Sequence, residues 1–313
     1  MTGTAQGTTY SLQWLGGADE ATVAQAAELE LDRLDALLSN YREDSVLERV
    51  NAARTVDPTE VPAELVTLLE IASDVHAASG GCFDPTVRPL VRAWGFDGDT
   101  PSTPSEVTLA DARARIGFEK LSIVDATHVR KAVPGVEIDM ASIGQGYTAE
   151  RLASLLEAHG SAAYLAEIGG EIVARGVKAD GTRWRVGVEN PVDGAAAGPT
   201  LRIPADARAA VITSGSYRHY LTAGTRRLGH VFDPRSGQPV EHSLLSATVV
   251  GRDAATAAAW ATALLCLGPA DAAVFAERNG VAALLWMAGA AAPEATSAFD
   301  NEWGALLAAD DTP

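Results

Sequence analysis

Residues 137–147 read Glu-Ile-Asp-Met-Ala-Ser-Ile-Gly-Gln-Gly-Tyr, and residues 167–171 read Glu-Ile-Gly-Gly-Glu. The first stretch predicts an apolar strand that runs into a glycine-bounded loop, and then a helix that begins at Thr148. The second stretch predicts a strand that ends in a double glycine. Free backbone N–H groups and the positive end of the helix dipole gather at such a helix start. The two stretches therefore indicate a place where a diphosphate could be held.

The charge balance limits the classes of partner. The chain has 313 residues and a formal net charge of −17, from 41 acidic and 24 basic residues. Such an acidic protein is a poor partner for nucleic acid or for an anionic membrane. An anionic ligand would need local neutralisation by a helix end, a basic side chain or a metal ion.

The two cysteines and the apolar segments carry little functional signal. Cys82 and Cys266 sit beside apolar residues and show no metal-ligand spacing, which favours two buried small side chains and leaves a single disulfide open. No apolar run reaches the length of a membrane span, and residues 1–7 show no export-signal pattern. As written, the sequence predicts a cytoplasmic protein without a membrane span, although a removed export or lipoprotein signal is compatible with it.

Strand-like and helix-like segments follow one another without strict alternation. Their periodicities predict helices at 18–38, 62–79, 110–116, 148–159, 253–267 and 270–279, and strands at 8–15, 121–124, 136–139, 163–167, 172–176, 183–188, 209–213, 230–232, 246–250 and 282–287. This mixture predicts an α+β fold of mixed α/β layers rather than a doubly wound parallel sheet. Composition predicts a surface loop at 97–106, a boundary or insert at 190–199, one domain over 1–290 and a flexible tail over 291–313.

Several short motifs carry residue types that often contact ligands. Ser214-Gly215 follows a predicted strand, where hydroxyls and glycine often face a ligand, although a plain turn has the same pattern. Trp94 and Phe96 can form the wall of a site for a planar ring or can pack in the core. His230 opens a His-Val-Phe-Asp-Pro segment, and histidine is the usual proton carrier near neutral pH, with a structural role as the alternative.

The helix that Asp253 can cap carries a further candidate. Ala258 and Thr262 are four residues apart and share one helix face. The Thr262 hydroxyl could be a metal ligand, or could simply bond the preceding helical turn.

Together these motifs resemble the ApbE family, the FAD:protein FMN transferases, over nearly the whole chain. The segments that carry the resemblance are Gly7 to Tyr10, Ser45 to Asn51, Phe83 to Val87, Trp94 to Phe96, Ile138 to Tyr147, Ile168 to Glu171, Ser214-Gly215, His230 to Gly237 and Ala261 to Leu264. The resemblance implies FAD in a cleft between two closely joined subdomains, with Mg²⁺ at the diphosphate. It also implies transfer of FMN to a Thr or Ser hydroxyl of an acceptor flavoprotein, with release of AMP.

The resemblance also implies residue roles. His230 would be the catalytic base or its neighbour, and the metal ligands would be the Gly144 backbone carbonyl and the Thr262 hydroxyl. The residues implied to contact the flavin nucleotide are Trp94, Phe96, Ser142, Gly144, Gln145, Gly146, Glu167, Gly169, Gly170, Ser214, Gly215 and His230.

The resemblance is incomplete on the helix of Thr262. The family usually has a metal-binding aspartate four residues before this threonine, and here that position is Ala258. The lysine that the family often has in the glycine loop is Gln145. Two alternatives therefore stay open: an FAD-binding protein that has lost transfer, or a pyrophosphatase that gives FMN and AMP. Asp253 and Asp139 are substitute metal ligands that the sequence offers.

Overall fold

The computed structural model describes residues 1–97, 102–191, 198–216, 220–223 and 226–307. Parts of the predicted loop at 97–106 and of the predicted boundary at 190–199 lie outside these ranges. The helices are α1 (Glu20–Leu38), α2 (Val46–Ala52), α3 (Ala63–Ala78), α4 (Arg88–Ala93), α5 (Glu106–Arg115), α6 (Ala141–Ala158), α7 (Ala254–Asn279) and α8 (Ser297–Glu302).

The strands are β1 (Thr2–Ala5), β2 (Thr8–Leu15), β3 (Thr59–Glu60), β4 (Leu121–Asp125), β5 (His128–Lys131), β6 (Ala163–Ile168), β7 (Glu171–Arg175), β8 (Arg185–Gly187), β9 (Thr200–Arg202), β10 (Ala209–Gly215), β11 (Tyr220–Ala223), β12 (Arg226–Gly229), β13 (Phe232–Asp233), β14 (Gln238–Pro239), β15 (Leu244–Gly251), β16 (Ala283–Met287) and β17 (Glu294–Ala295). The largest sheet has the strand order β1-β2-β6-β7-β10-β15-β16-β17. All of its neighbouring pairs are antiparallel.

This sheet separates two apolar layers. Helices α6 and α7 cover one face, where the core includes Leu152, Ile212 and Leu264. The core on the opposite face includes Trp286 and Phe299, beneath β8, β9 and α8. Helices packed against a large antiparallel sheet confirm the prediction of a mixed α+β fold.

Helix α1 shows how closely local signals can specify an element. It ends at Leu38, as predicted, and begins within two residues of the predicted start. The Asp19 carboxylate accepts a hydrogen bond from the Thr22 backbone N–H at 2.9 Å and caps the helix. Its buried face repeats at helical spacing and comprises Val23, Ala27, Leu31, Leu34, Leu37 and Leu38.

The double glycine forms the tight turn between β6 and β7. Gly169 and Gly170 have φ values of 62° and 95°, and the cross-strand pair Ile168–Glu171 closes the hairpin. Two-residue hairpin turns of this kind need positive φ at both positions, which glycine adopts without steric cost. The double glycine therefore has a conformational reason that is independent of any ligand.

Helix α6 begins at Ala141, so the predicted start at Thr148 is wrong. The segment interpreted as a glycine loop forms the first turns of this helix. Glycine lowers helix propensity by about 1 kcal/mol relative to alanine, but a methyl group at Gly146 would lie 2.7 Å from the Ala254 carbonyl oxygen. Close packing of α6 on α7 therefore requires glycine inside the helix and overrides its local preference.

The predicted strand at 136–139 is also wrong, because these residues form no strand, and β4 pairs with β5. The Asn51 side chain takes the place of a strand partner: its Nδ2 donates to the Ile138 carbonyl at 2.9 Å, and the Ile138 N–H donates to Asn51 Oδ1 at 2.7 Å. One buried amide thus satisfies backbone groups that a neighbouring strand would otherwise satisfy.

We expect Asn51→Ala to lower the free energy of unfolding by about 2–3 kcal/mol, because it leaves a buried N–H and a buried carbonyl without partners. Urea denaturation would measure the loss. The exposed Asn301 on α8 provides the control, since Asn301→Ala should change stability by less than about 0.5 kcal/mol. Equal losses in both variants would contradict this role of Asn51.

The C-terminal segment packs against the sheet. Strand β17 pairs with β16, and Phe299 and Trp303 are buried. The prediction of a flexible tail over 291–313 is therefore wrong for residues 294–307. Residues 308–313 lie outside the described part of the chain.

Helix α7 is long and apolar enough to cross a membrane by length and composition, with a mean hydropathy of 1.5 in its most apolar window. The sequence expectation that no apolar run reaches this length missed it. However, 61% of that window is buried inside the protein, and the helix is kinked at Gly268, which has a non-helical φ of 75° before Pro269. These features are typical of a core helix.

Cys82 and Cys266 are buried, as predicted, and they form the disulfide that the sequence left open. Their Cα atoms are 5.7 Å apart. The bond ties the segment after α3 to α7, one helical turn beyond Thr262.

Candidate functional site

The contact between α6 and α7 sets the geometry of the site. A Glu150 carboxylate oxygen accepts a hydrogen bond from the Ala254 backbone N–H at 2.8 Å, at the start of α7. A methyl group at Gly146 would lie 2.8 Å from Ala258 Cβ. Earlier residues of α6 thus lie beside later residues of α7, so the two helices run antiparallel. This register directs the first turns of α6 toward the turn of α7 that carries Thr262.

The Ser214 and Thr262 hydroxyls meet at the end of β10. Their oxygens are 3.1 Å apart, within hydrogen-bonding distance. Two residues that were singled out in separate parts of the sequence are therefore brought together, and Gly215 ends the same strand. The hydroxyl of Thr262 faces the sheet rather than only its own helix.

Glu171, at the start of β7, lies beside this pair. One of its carboxylate oxygens accepts a hydrogen bond from the Thr213 backbone N–H at 3.3 Å, next to Ser214. Burial raises the pKa of Glu171 to about 8, and the nearby Glu167 carboxylate adds to the rise. The sequence contained this residue in a recognised motif, but no residue pattern indicated that its carboxyl would be partly withdrawn from water.

The hairpin turn lies against α6 at the same place. A methyl group at Gly169 would lie 3.1 Å from Gln145 Oε1, so the Gln145 side chain rests on the turn. Glu167 accepts a hydrogen bond from the Gly170 N–H at 2.8 Å and supports the turn from within. Four residues predicted to contact the flavin nucleotide therefore lie together: Gln145 on α6, and Glu167, Gly169 and Gly170 on the hairpin.

The start of α6 offers fewer free amides than predicted. Asp139 Oδ1 accepts hydrogen bonds from the Ala141 N–H and from Asn40 Nδ2, each at 2.8 Å. The Gly144 N–H donates to the Met140 carbonyl at 2.6 Å. A protein carboxylate therefore already caps part of the helix end that was interpreted as open to a phosphate, and Ser142 lies in this same first turn.

The Gly144 carbonyl already has a hydrogen-bond donor. It accepts a hydrogen bond from Thr148 Oγ1 at 2.8 Å, and Gln6 Nε2 donates to Thr148 Oγ1 at 2.9 Å. A cation at this carbonyl would share the oxygen with the Thr148 hydroxyl.

The aromatic candidates belong to a small separate core. Trp94 is buried with Leu90, Ile116 and Phe232, and the rings of Phe96 and Phe232 meet edge to face, with centroids 5.7 Å apart. Core packing, the alternative that the sequence left open, thus describes Trp94. Its indole Nε1 is buried and has no hydrogen-bond partner among the described residues.

His230 lies between these two regions. It is exposed, and it follows Gly229, where a methyl group would lie 3.2 Å from Ser216 Cβ. Phe232, two residues further on, contacts Trp94 and Phe96. The segment that carries His230 therefore connects the aromatic core to the end of β10.

Arg88 is a buried residue at this side of the molecule to which the sequence gave no role. Its Nη2 donates to the Asn40 carbonyl at 2.5 Å, and its Nε lies 3.7 Å from a Glu137 oxygen. Asn40 in turn binds Asp139, so Arg88 helps to fix the start of α6. The Arg-Pro pair at the first turn of α4 was its only local signal.

We expect the raised pKa of Glu171 to make stability depend on pH. Because the folded protein binds this proton more tightly than the unfolded chain, stability falls as pH rises from about 4.5 toward about 8. In metal-free buffer, Glu171→Gln should remove this loss and gain up to about 5 kcal/mol over wild type by pH 9, since the rise in pKa spans about 3.5 units and each unit corresponds to about 1.4 kcal/mol. Urea denaturation across this pH range would measure it.

The control is Glu294→Gln, which neutralises an exposed carboxylate on β17. Its stability curve should run parallel to that of the wild type. A parallel curve for Glu171→Gln as well would show that Glu171 does not carry the raised pKa.

Comparison with known proteins identifies close relatives. The sequence model of the ApbE family matches residues 6–285. The FAD:protein FMN transferase of Escherichia coli (strain K12) is 34% identical over 289 residues, covering 88% of this chain and 82% of that protein. The protein of the same name from Salmonella typhimurium is 35% identical over 294 residues, covering 90% and 83%.

A solved structure is similar over nearly its whole length. The apo form of Pseudomonas stutzeri flavinyl transferase ApbE superimposes with a TM-score of 0.87 at 36% identity, covering 97% of this chain and 96% of that one.

Proposed function

The chain belongs to the ApbE family, and we propose that it acts, as its relatives are named, as an FAD:protein FMN transferase. In this proposal it moves FMN from FAD to a Thr or Ser hydroxyl of an acceptor flavoprotein and releases AMP. The observation that carries the proposal is the meeting of Ser214 and Thr262 at 3.1 Å, beside the hairpin on which Gln145 rests. Hydroxyls, an amide and glycine backbone are groups that suit a dinucleotide's diphosphate.

Oxygen donors at this place fit a magnesium ion. Mg²⁺ prefers hard oxygen ligands, usually one or two carboxylates together with phosphate oxygens and water. The Thr262 and Ser214 hydroxyls and the Gly144 carbonyl are such donors. Ala258 supplies none, because its methyl group is buried against Gly146. The site therefore fits the ion if a carboxylate reaches it from an element other than α7.

The reaction exchanges the phosphoanhydride linkage of the FAD diphosphate for a phosphate ester. The acceptor hydroxyl oxygen forms a bond to the FMN phosphorus, the bond from that phosphorus to the bridging oxygen breaks, and AMP leaves with the bridging oxygen. The proton of the hydroxyl passes to His230, whose imidazole is exposed beside the end of β10. Bound Mg²⁺ would supply positive charge to the diphosphate oxygens.

The site residues indicate where FAD would lie. We infer a cleft between two closely joined subdomains of a single domain: the sheet with α6 and α7, and the part that carries Trp94 and Phe96. The acidic surface of the chain makes local neutralisation by the ion and by main-chain amides necessary.

One incubation tests the proposal. The protein is mixed with FAD, Mg²⁺ and a folded acceptor domain that carries the target Thr, and the acceptor mass is measured. Transfer predicts a gain equal to one FMN and an equal amount of AMP. Free FMN and AMP without a gain would show a pyrophosphatase, and intact FAD that stays bound would show a binding protein. Because residue 258 has no carboxylate, an FAD-binding protein is the second candidate function.

A further inference from the structure

We propose that Glu171 supplies the metal-binding carboxylate that Ala258 cannot, so that the cation lies between Glu171 on β7 and the Ser214–Thr262 hydroxyl pair. This inference rests on the proposed function and concerns the cation site within it. In this inference the metal-binding carboxylate comes from a strand of the large sheet rather than from helix α7.

Residue 258 cannot be the source in this chain. Ala258 is 2% exposed, and its methyl group fills the contact between α7 and Gly146. Its side chain offers no donor atom, so any carboxylate at the cation must come from another element.

The two acidic residues that the sequence offered as substitutes are poorly placed. Asp253 caps α7 through the Thr256 N–H at 2.7 Å, and it lies about 14 Å from Thr262 along the helix axis, given the rise per residue of an α-helix. Asp139 Oδ1 already accepts hydrogen bonds from the Ala141 N–H and the Asn40 amide, which fix the start of α6.

Sheet register places Glu171 on the correct face. Glu171 pairs with Ile168 on β6, and Val211 pairs with Ile172, so Glu171 stands opposite Ile212. Directly opposed residues in an antiparallel pair point to the same face. Both isoleucines belong to the core beneath α6 and α7, so the side chain of Glu171 leaves the sheet toward these helices.

The same register makes Glu171 a diagonal neighbour of Ser214, which lies two residues beyond Ile212. Diagonal neighbours are about 7–8 Å apart, within reach of a long side chain. The observed hydrogen bonds are consistent with this distance: a Glu171 oxygen lies 3.3 Å from the Thr213 N–H, and Ser214 Oγ lies 3.1 Å from Thr262 Oγ1. A carboxylate and two hydroxyls thus converge from three elements.

The chemistry of Glu171 suits this role. Glu171 is half-buried, and among the described residues its carboxyl holds one long hydrogen bond to the main chain and is paired with no basic side chain. A carboxyl that is partly withdrawn from water and has no cationic partner is costly to ionise. A divalent cation at the Ser214–Thr262 pair would provide that partner.

Binding of Mn²⁺ in place of Mg²⁺ tests the inference directly. Mn²⁺ is titrated into the folded protein in the presence of FAD, and free Mn²⁺ is followed by electron paramagnetic resonance. We expect Glu171→Gln to weaken Mn²⁺ binding at least tenfold, and Glu294→Gln on β17 to leave it unchanged. Circular dichroism would establish that each variant is folded.

A second variant tests whether the lost affinity reflects a missing carboxylate at the cation rather than a disturbed fold. Ala258→Asp, added to Glu171→Gln, returns a carboxylate to α7 four residues before Thr262, and we expect it to restore most of the lost affinity. Wild-type affinity in Glu171→Gln alone, or no Mn²⁺ binding by the wild type, would overturn the inference. The transfer assay is separate: FMN transfer by the wild type with unchanged Mn²⁺ affinity in Glu171→Gln would refute this ligand and leave the function standing.

Discussion

Replacement of His230 by glutamine is expected to lower the rate of FMN transfer by about 10²- to 10⁴-fold, the usual contribution of a general base. Glutamine keeps a polar side chain of similar size but cannot take the acceptor's proton at neutral pH. FAD affinity should change by less than about threefold if the residue acts mainly on the proton. Single-turnover transfer, followed by the acceptor mass, would measure the rate, and flavin fluorescence would measure FAD binding.

His128 provides the matched control, because it lies on β5 and binds Asp125 on its own hairpin. His128→Gln should transfer FMN at the wild-type rate. A His230→Gln protein that is equally active would remove His230 from the chemistry. A large loss of FAD affinity without a change in the transfer rate would instead make it a binding residue.

Replacement of Gly146 by alanine is expected to lower the free energy of unfolding by about 2 kcal/mol or more, the range for overpacking a core. In an isolated helix the same change would add about 1 kcal/mol of stability. Here the new methyl group would lie 2.7 Å from the Ala254 carbonyl oxygen and 2.8 Å from Ala258 Cβ. Neither a main-chain oxygen nor a buried methyl can move far, so α6 and α7 must separate.

Gly187 on β8 has open space where a methyl group would be added. Gly187→Ala is therefore the matched control, and its stability should stay within about 0.5 kcal/mol of the wild type. Separation of the helices also moves the turn of Thr262, so Gly146→Ala should weaken Mn²⁺ binding as well. A more stable Gly146→Ala protein would contradict the close helix contact.

Local sequence patterns predicted an element correctly where tertiary packing favoured the same structure. The cap at Asp19, the period of the α1 apolar face and the double glycine of the β6–β7 turn each specify their element through short-range physics. The mixed α+β class followed from the irregular order of such elements. The motif residues at Ser214 and Thr262 were found from the sequence, but their 3.1 Å contact depends on strand and helix packing.

The errors arose where distant residues overrode local preference. Gly144 and Gly146 are typical of a loop, yet both lie inside α6, and contact with α7 requires glycine at position 146. The sequence around Ile138 is typical of a strand. However, the Asn51 side chain forms the hydrogen bonds with the Ile138 backbone that a neighbouring strand would otherwise form. The partial burial of Glu171 likewise depends on the neighbouring strand and helices, and no local pattern indicates it.

We propose that main-chain and hydroxyl groups around the Gly169-Gly170 hairpin, Ser214 and Thr262, together with a divalent ion, hold the diphosphate of FAD. Titration of the folded protein with FAD, followed by flavin fluorescence with Mg²⁺ and again with EDTA, tests this most directly. We expect saturable uptake of one FAD per chain that weakens at least tenfold when the ion is removed. Failure of the folded protein to take up FAD in the presence of Mg²⁺ would contradict the account.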